Sequence, residues 1–343
     1  MNYQEQRFSF TGKGSEYFRI WIVNLFLTIL SLGIYSAWAK VRRMQYFYRN
    51  TRLNESSFDY HGTAIAILKG RLIGIGLFAA YYAALQIVPI LGLAIGLGIA
   101  VIMPFLLVAS FKFRLYNSSY RGLRFGFTGT IKDAYMVFLV LPISTFFTLY
   151  LLAPFTHQRI KAYQHNNSRF GQSAFSFNAE VGGFYKVYFI ALIQFLLIMG
   201  LFSAGVFYLL KDNMGAVPKE QMIVMIVIAV YAVLIIAGLL VVPYFISSIQ
   251  NLVWNHTSLG ANRFSSSLST GGLAWIIFSN FIFIVLTLGL FKPFADIRMA
   301  RYRMEHMAML PAGNIDEYIA SEQQKIGAAG TETAEVFDID IGF

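Results

Sequence analysis

Apolar and polar positions along this chain fall into long alternating blocks. Seven apolar runs stand at about 18–38, 66–87, 90–111, 134–155, 186–210, 221–246 and 273–292, separated by polar stretches that carry most of the charge. About 20 apolar residues cross a bilayer's hydrocarbon core, so the pattern predicts seven transmembrane helices. The second and third form a tight hairpin at Pro89, and a polar loop with Lys211, Asp212, Lys219 and Glu220 joins the fifth and sixth. Three polar stretches have another rhythm: Phe58-x-Tyr60-x-Gly62, Phe125-x-Phe127-x-Gly129 and Phe175-x-Phe177. Alternating aromatics of this kind predict short, half-buried strands.

A spacing motif runs through these blocks. A small residue and an aromatic start it at Ala37-Trp38, Pro104-Phe105, Pro154-Phe155, Pro243-Tyr244 and Pro293-Phe294. Thirteen residues later come Asn50, Asn117, Asn167, His256 and His306. Thr51, Ser118, Ser168 and Thr257 follow four of them, and Phe58, Phe125, Phe175 and Phe264 lie at one further fixed distance. Asn or Thr at a helix end suits a stop and turn. The first apolar segment recurs in the seventh, where Asn24, Ser31-Leu32-Gly33-Ile34-Tyr35 and Arg42 align with Asn280, Thr287-Leu288-Gly289-Leu290-Phe291 and Arg298.

These alignments predict an all-α polytopic membrane protein of about seven transmembrane segments in internal repeats, 3+3+1, with short strand-like segments between them. The expected divisions are a polar N-terminal segment at 1–17, three-span units at 18–117 and 118–256, a partial third unit at 257–310 and an acidic tail at 311–343. If all seven runs cross, 19 Lys and Arg fall on one side and 8 on the other, which places the N-terminus outside and the C-terminus inside. Three-span units would then be inverted repeats. In a second arrangement the first, fourth and seventh runs dip in and return, leaving only Lys211 and Lys219 outside. Re-entrant backbone must satisfy its own hydrogen bonds in lipid, so crossing is preferred.

Composition narrows the class. At 57% hydrophobic and 13% charged, with 33 Phe and 20 Tyr, the chain is too apolar for a soluble globule. The net charge of +10 reads as loop charge that sets orientation. Arg42, Arg43, Tyr46 and Arg49 lie beside an apolar run, on a stretch read as an interfacial helix from Trp38, so anionic lipid rather than nucleic acid is the expected partner. A homo-oligomer is compatible with the sequence. The absence of Cys excludes disulfides and thiolate chemistry. Residues 1–17 lack the pattern of a cleaved signal peptide. The tail holds seven acids and one base, Lys325, and its terminal Val336-Phe337-Asp338-Ile339-Asp340-Ile341 alternates; a solvated tail is expected, with docking on the basic loops as the alternative.

No catalytic, cofactor-binding or metal-ligating set stands out. Nucleophile, phosphate-loop and zinc motifs are missing, His157 and His165 are too far apart for a helical pair, and His256 and His306 occupy a turn position. The chain is therefore not expected to be an enzyme. Gly70-x-x-x-Gly74 and Gly92-x-x-x-Gly96 read as helix packing. Candidate path or hinge residues are Pro104 and Pro243, which bend helices at matching places, with Asn24 and Asn280 as polar groups inside apolar runs. Arg42, Arg159 and Arg298, five residues after a motif start, are candidates for lipid headgroups.

Leu32-Gly33-Ile34-Tyr35-x-x-Trp38-Ala39-Lys40-x-Arg42, Phe58-x-Tyr60-x-Gly62-Thr63 and the ending Ala334-Glu335-Val336-Phe337-Asp338-Ile339-Asp340-Ile341-Gly342 together resemble the YjgN family of bacterial inner-membrane proteins. The resemblance spans nearly the whole chain and implies a multi-pass protein of a Gram-negative inner membrane. That family has no assigned function, so it implies no substrate, cofactor or catalytic residue. The last motif copy departs from it, with Phe294 and Asp296 at the places of Trp38 and Lys40. The inverted-repeat plan makes movement of a small molecule, ion or lipid across or within the membrane the expected function. The alternative is a non-transporting scaffold or lipid-organising protein.

Overall fold

A computed structural model of the chain describes residues 5–211 and 218–328. Five helix pairs alternate with strand pairs. The first stretch runs β1 (Gln6–Phe10), α1 (Gly14–Leu30), α2 (Ser36–Asn50), β2 (Thr51–Leu53) and β3 (Ser56–Tyr60). The second adds α3 (Ala64–Ile87), α4 (Pro89–Tyr116), β4 (Ser118–Tyr120) and β5 (Leu123–Phe127). In the third, α5 (Ile131–Tyr135) continues through a π-helical stretch, Met136–Val140, into α6 (Leu141–Phe147), then α7 (Ala153–Asn166), β6 (Ser168–Phe170) and β7 (Ser173–Phe177). The fourth holds α8 (Val181–Leu210), α9 (Lys219–Asn255), β8 (Thr257–Leu259) and β9 (Asn262–Ser266). The fifth holds α10 (Thr270–Leu286), α11 (Lys292–Glu305) and β10 (Met307–Leu310), and α12 (Ile315–Ala328) follows.

The recurring Asn or His stops the second helix of each pair. Its side-chain N–H donates to the carbonyl four residues back: Asn50 to Tyr46, Asn117 to Phe113, Asn167 to Tyr163, His256 to Leu252 and His306 to Tyr302, all at 2.8–2.9 Å. For His this requires the proton on Nδ1, since a carbonyl only accepts. The hydroxyl that follows caps the next carbonyl, with Thr51, Ser118, Ser168 and Thr257 donating to Phe47, Arg114, Gln164 and Val253 at 2.7–2.8 Å. Carbonyls orphaned at the helix end are thus satisfied by neighbours in sequence.

The strands that follow form a closed antiparallel barrel in the order β1-β10-β9-β8-β7-β6-β5-β4-β3-β2. Two-residue turns join four of its hairpins, with Asn54, Arg121, Gly171 and Gly260 at positive φ, as tight hairpins require. The fifth strand pair closes the ring between distant parts of the chain: Arg7 pairs with Ala308 and Gln6 with Met309. The helices follow the same circular order, each packing on its neighbour in sequence and α1 on α11.

The helix pairs differ in reach. Helices α3, α4, α8 and α9 are long and apolar enough to span a membrane. The pairs α1/α2, α5–α6/α7 and α10/α11 are shorter and turn early. Ala37, Pro154 and Pro293 stand in the first turn of their second helices, whereas Pro104 and Pro243 lie inside α4 and α9. Helix α4 continues from Pro104 back to Pro89, about 22 Å further at 1.5 Å per residue. The short tips therefore stop inside a hydrocarbon core about 30 Å thick. Their side chains fit that solvent: Leu32, Leu149 and Leu288 are 95%, 85% and 95% exposed.

These tips meet the demand that lipid makes on bare backbone. Each turns on two left-handed residues: Leu32 and Gly33, Leu149 and Tyr150, Leu288 and Gly289. The first of each donates its N–H three residues back and the second five residues back, at 2.8–3.1 Å. The hydroxyl just before the turn accepts the N–H of Tyr35, Leu152 or Phe291 through Ser31, Thr148 or Thr287.

The expectation of an all-α protein with seven spans in a 3+3+1 plan is therefore corrected. The strand-like segments belong to one closed barrel, and the first, fourth and seventh apolar runs are single helices, or broken ones, of hairpins that return to it. All helix pairs share one orientation, so the units are not inverted, and the first and last strands, β1 and β10, lie on the same side. Hydropathy misled because a half-depth hairpin contacts the same hydrocarbon as a span. Every Lys and Arg except Lys211 and Lys219 lies in or near the barrel, in the short hairpins or toward the barrel ends of the long helices, the distribution that the positive-inside rule expects of a cytoplasmic side. The terminal Val336–Ile341 alternation and Asp212 fall outside the described residues.

Candidate functional site

Strand alternation gives the barrel its interior. Each long strand places one Phe at its middle position, and its partner on the neighbouring short strand points the same way: Phe8 with Leu53, Phe58 with Tyr120, Phe125 with Phe170, Phe175 with Leu259, and Phe264 with Met309. The five Phe form a layer in which successive rings stack at 6.2, 6.3, 6.5 and 6.0 Å from Phe8 round to Phe264. They enclose an apolar cavity of about 160 Å³. Trp254 and Met304, from the ends of α9 and α11, pack against this core.

Helix α12 closes the end of the barrel away from the membrane. Ile315, Tyr318 and Ile319 pack on the aromatic core. Glu322 is fully buried and takes four hydrogen bonds, from the N–H groups of Gln172 and Ser173 at 2.7 and 3.0 Å, the Ser173 hydroxyl at 3.1 Å and Lys325 Nζ at 2.7 Å. Burial alone would push its carboxyl pKa up, but these bonds hold it below the ordinary 4.5. A Cβ at Gly171 would stand 2.8 Å from the Glu322 carboxylate, so the turn must be bare there. Arg121 pairs with Asp316 at the other end of the helix.

The residues singled out from sequence are dispersed. Pro104 and Pro243 are buried in different long pairs. Asn280 accepts from Arg298 Nη1 at 2.7 Å, and Ser279 from Nη2 at 2.9 Å, so this Arg is turned between α10 and α11. Asn24 is equally buried, yet its Oδ1 has no partner. Arg42 lies over the Tyr35 ring at 5.7 Å and Arg159 over Phe155 at 4.9 Å. Arg42 also lines an open groove of about 480 Å³ between α1 and α2, with Arg19, Gln45, Tyr46, Arg49 and Asn50. There Arg49 is held by Asp59 at 2.9 Å. Among the described residues, Arg19 and Arg42 have no carboxylate partner. The structure thus joins Asn280 with Arg298 but not Asn24 with Arg42. Sequence reasoning missed Phe8, the short-strand partners and Glu322. The short-strand partners stand three residues after each Asn or His and were signalled by that offset; Phe8 lies outside the motif copies, and nothing local marked Glu322.

These features define a membrane-embedded protein in which a ring of spanning and half-depth helix pairs is closed on one side by a small barrel. The chain belongs to the bacterial family of unknown function DUF898, whose model matches residues 5–336. It is 26% identical to the inner membrane protein YjgN of Salmonella typhimurium strain LT2 over 364 residues, covering 92% of this chain and 91% of that protein. It is also similar to the YjgN proteins of Escherichia coli O157:H7 and K12, at 30% and 32% identity over 42% of this chain and 36% of each relative. No solved structure matches. The protein resides in the inner membrane.

Proposed function

We propose that this protein moves a small solute across the inner membrane along the axis shared by its helix ring and barrel. The observation that carries this reading is the closure of the barrel with an aromatic layer across its lumen and a separate helix, α12, over its outer mouth. A purely structural barrel has no need of a stopper fastened by a buried carboxylate. In this reading the Phe layer is the constriction and α12 is the removable part, because its polar fastenings concentrate at the Arg121 and Gly171 turns. The test is flux from proteoliposomes. Glu322→Gln and Asp316→Asn, singly and together, loosen the stopper without touching the lumen, and solute release is expected to rise in that order. Vesicles that stay tight to cations, anions and neutral solutes with every variant would overturn the conduit.

A second reading has its own support. Three apolar tips end within the bilayer, and the Arg19–Arg42–Arg49 groove runs between α1 and α2 toward the barrel end of one of these hairpins. Such a shape thins and organises lipid without passing a solute. Lipid exchange between leaflets in the same vesicles, without solute flux, is the outcome this reading expects.

A further inference from the structure

The second helices of the five pairs, α2, α4, α7, α9 and α11, carry a set of polar groups that the barrel does not use. Lys161 of α7 feels the charges of Arg114 from α4 and of Arg303 from α11. Lys40 of α2 feels Arg114 and also Arg71 of α3. Helix α11 is not a ring neighbour of α7, since α8, α9 and α10 stand between them. Gln250 and Arg303 lie likewise on helices that are not ring neighbours, α9 and α11, with α10 packed between them. Arg303 donates to Gln250 Oε1 of α9 at 2.6 Å. That bond across α10 turns both side chains toward the inside of the ring, where Lys161 and Arg114 lie in one another's field, and Lys40 lies in the field of Arg114.

The cluster lacks counter-charge. Helices α2, α4 and α7 contain no acid. Glu220 lies at the far end of α9, Asp296 is held by Lys292 and Arg43, and Glu305 is exposed at the end of α11. Among the described residues, no carboxylate pairs with Lys40, Arg114, Lys161 or Arg303. Gln250 adds a second sign of a missing partner. It is 6% exposed, its oxygen is taken by Arg303, and its Nε2 donor has no acceptor. Convergent cations with no acid repel one another, and a buried amide donor left unpaired is costly. Both faults are cured by the same thing, an anion with several oxygens, which Arg and Lys recognise best as phosphate.

We propose that this axial cluster is a binding site for a phosphate-bearing anion, with Lys161, Arg303 and the Gln250 amide as its principal donors and Arg114 and Lys40 supplying field. The proposal rests on the conduit reading only for the meaning of the site as a substrate station. The anion could be a soluble phosphate or a lipid phosphate, and the experiment separates them.

The full chain is placed in nanodiscs of zwitterionic phosphatidylcholine, and thermal unfolding is followed against inorganic phosphate at constant ionic strength. A second series replaces part of the lipid with phosphatidylglycerol. A soluble ligand is indicated if phosphate raises the unfolding temperature, and a lipid ligand if only phosphatidylglycerol does; either supports the site. Lys161→Gln and Arg303→Gln should each weaken the response about tenfold. Lys161→Arg should retain it, and Lys186→Gln, on α8 outside the cluster, should leave it unchanged. Without anion, Lys161→Gln should unfold no earlier than the parent, since it relieves repulsion; this separates lost binding from lost folding. No response to either anion, or an equal response in Lys161→Gln and Arg303→Gln, would overturn the site. Solute flux is measured separately: binding without flux removes the conduit and leaves the site, whereas flux without binding does the reverse.

Discussion

At the scale of single residues, the interchange of Asn and His at the motif position follows from one hydrogen bond. Both side chains carry an N–H that reaches the carbonyl four residues back, so His256→Asn should leave stability nearly unchanged. Asn167→Ala loses that donor and should cost about 1 kcal/mol in thermal or denaturant unfolding. Glu322 is a sharper case, because its carboxylate joins α12 to the barrel. Its folded pKa lies below the ordinary value, so its contribution is complete above about pH 4.5 and is lost as pH falls through the lower folded value. Protection of the Gln172 and Ser173 amides, measured against their intrinsic exchange at each pH, should therefore fall below that pH. In Glu322→Gln it should already be low at neutral pH and respond little to acid. Unchanged protection in both conditions would mean that the carboxylate does not hold the helix.

At the scale of elements, the half-depth hairpins show how lipid constrains a turn. Three tips use the same two left-handed residues and the same hydroxyl cap. Thr287→Val removes the acceptor for the Phe291 N–H in hydrocarbon and should destabilise by about 1–2 kcal/mol, while Thr287→Ser should be neutral; unfolding in bilayers checks both. The hairpin shape also sets accessibility on this naturally Cys-free chain. Single Cys residues at Leu32, Leu149 and Leu288 should resist impermeant thiol reagents from both sides. Cys at Gly122 should react only from the cytoplasm, and Cys at Lys219 only from outside. Labelling of the three tip positions from outside would restore the crossing arrangement. The helix ends were legible in the sequence, because each is fixed by residues within four positions. The turn at each tip was not: Leu-Gly inside an apolar run looks the same in a span and in a reversal, and Leu149-Tyr150 lacks even the glycine.

At the scale of the whole molecule, closure is the decisive feature. β1 and β10 come from opposite ends of the chain and pair through Arg7 and Ala308. Cys introduced at these two positions should form a crosslink spontaneously under mild oxidation, without lowering the unfolding temperature; a mixture of reduced and intermolecular species would count against a closed ring. Residence in the membrane was decided by composition alone, since 57% hydrophobic residues in long runs have no other solvent. The Phe layer was half legible: four of its members stood at a fixed offset, but the fifth, Phe8, lies at the other end of the chain from its place in the motif. Local sequence also determined where helices stop and which strand positions are aromatic, because those rest on hydrogen bonds and alternation over a few residues. Tertiary structure alone decided that every pair returns to one side, that ten short strands close on themselves, and that Arg303 of α11 reaches Gln250 of α9 across α10. Each of these depends on pairings between residues far apart in the chain, and no local period encodes which distant partner a strand edge or a charge will find.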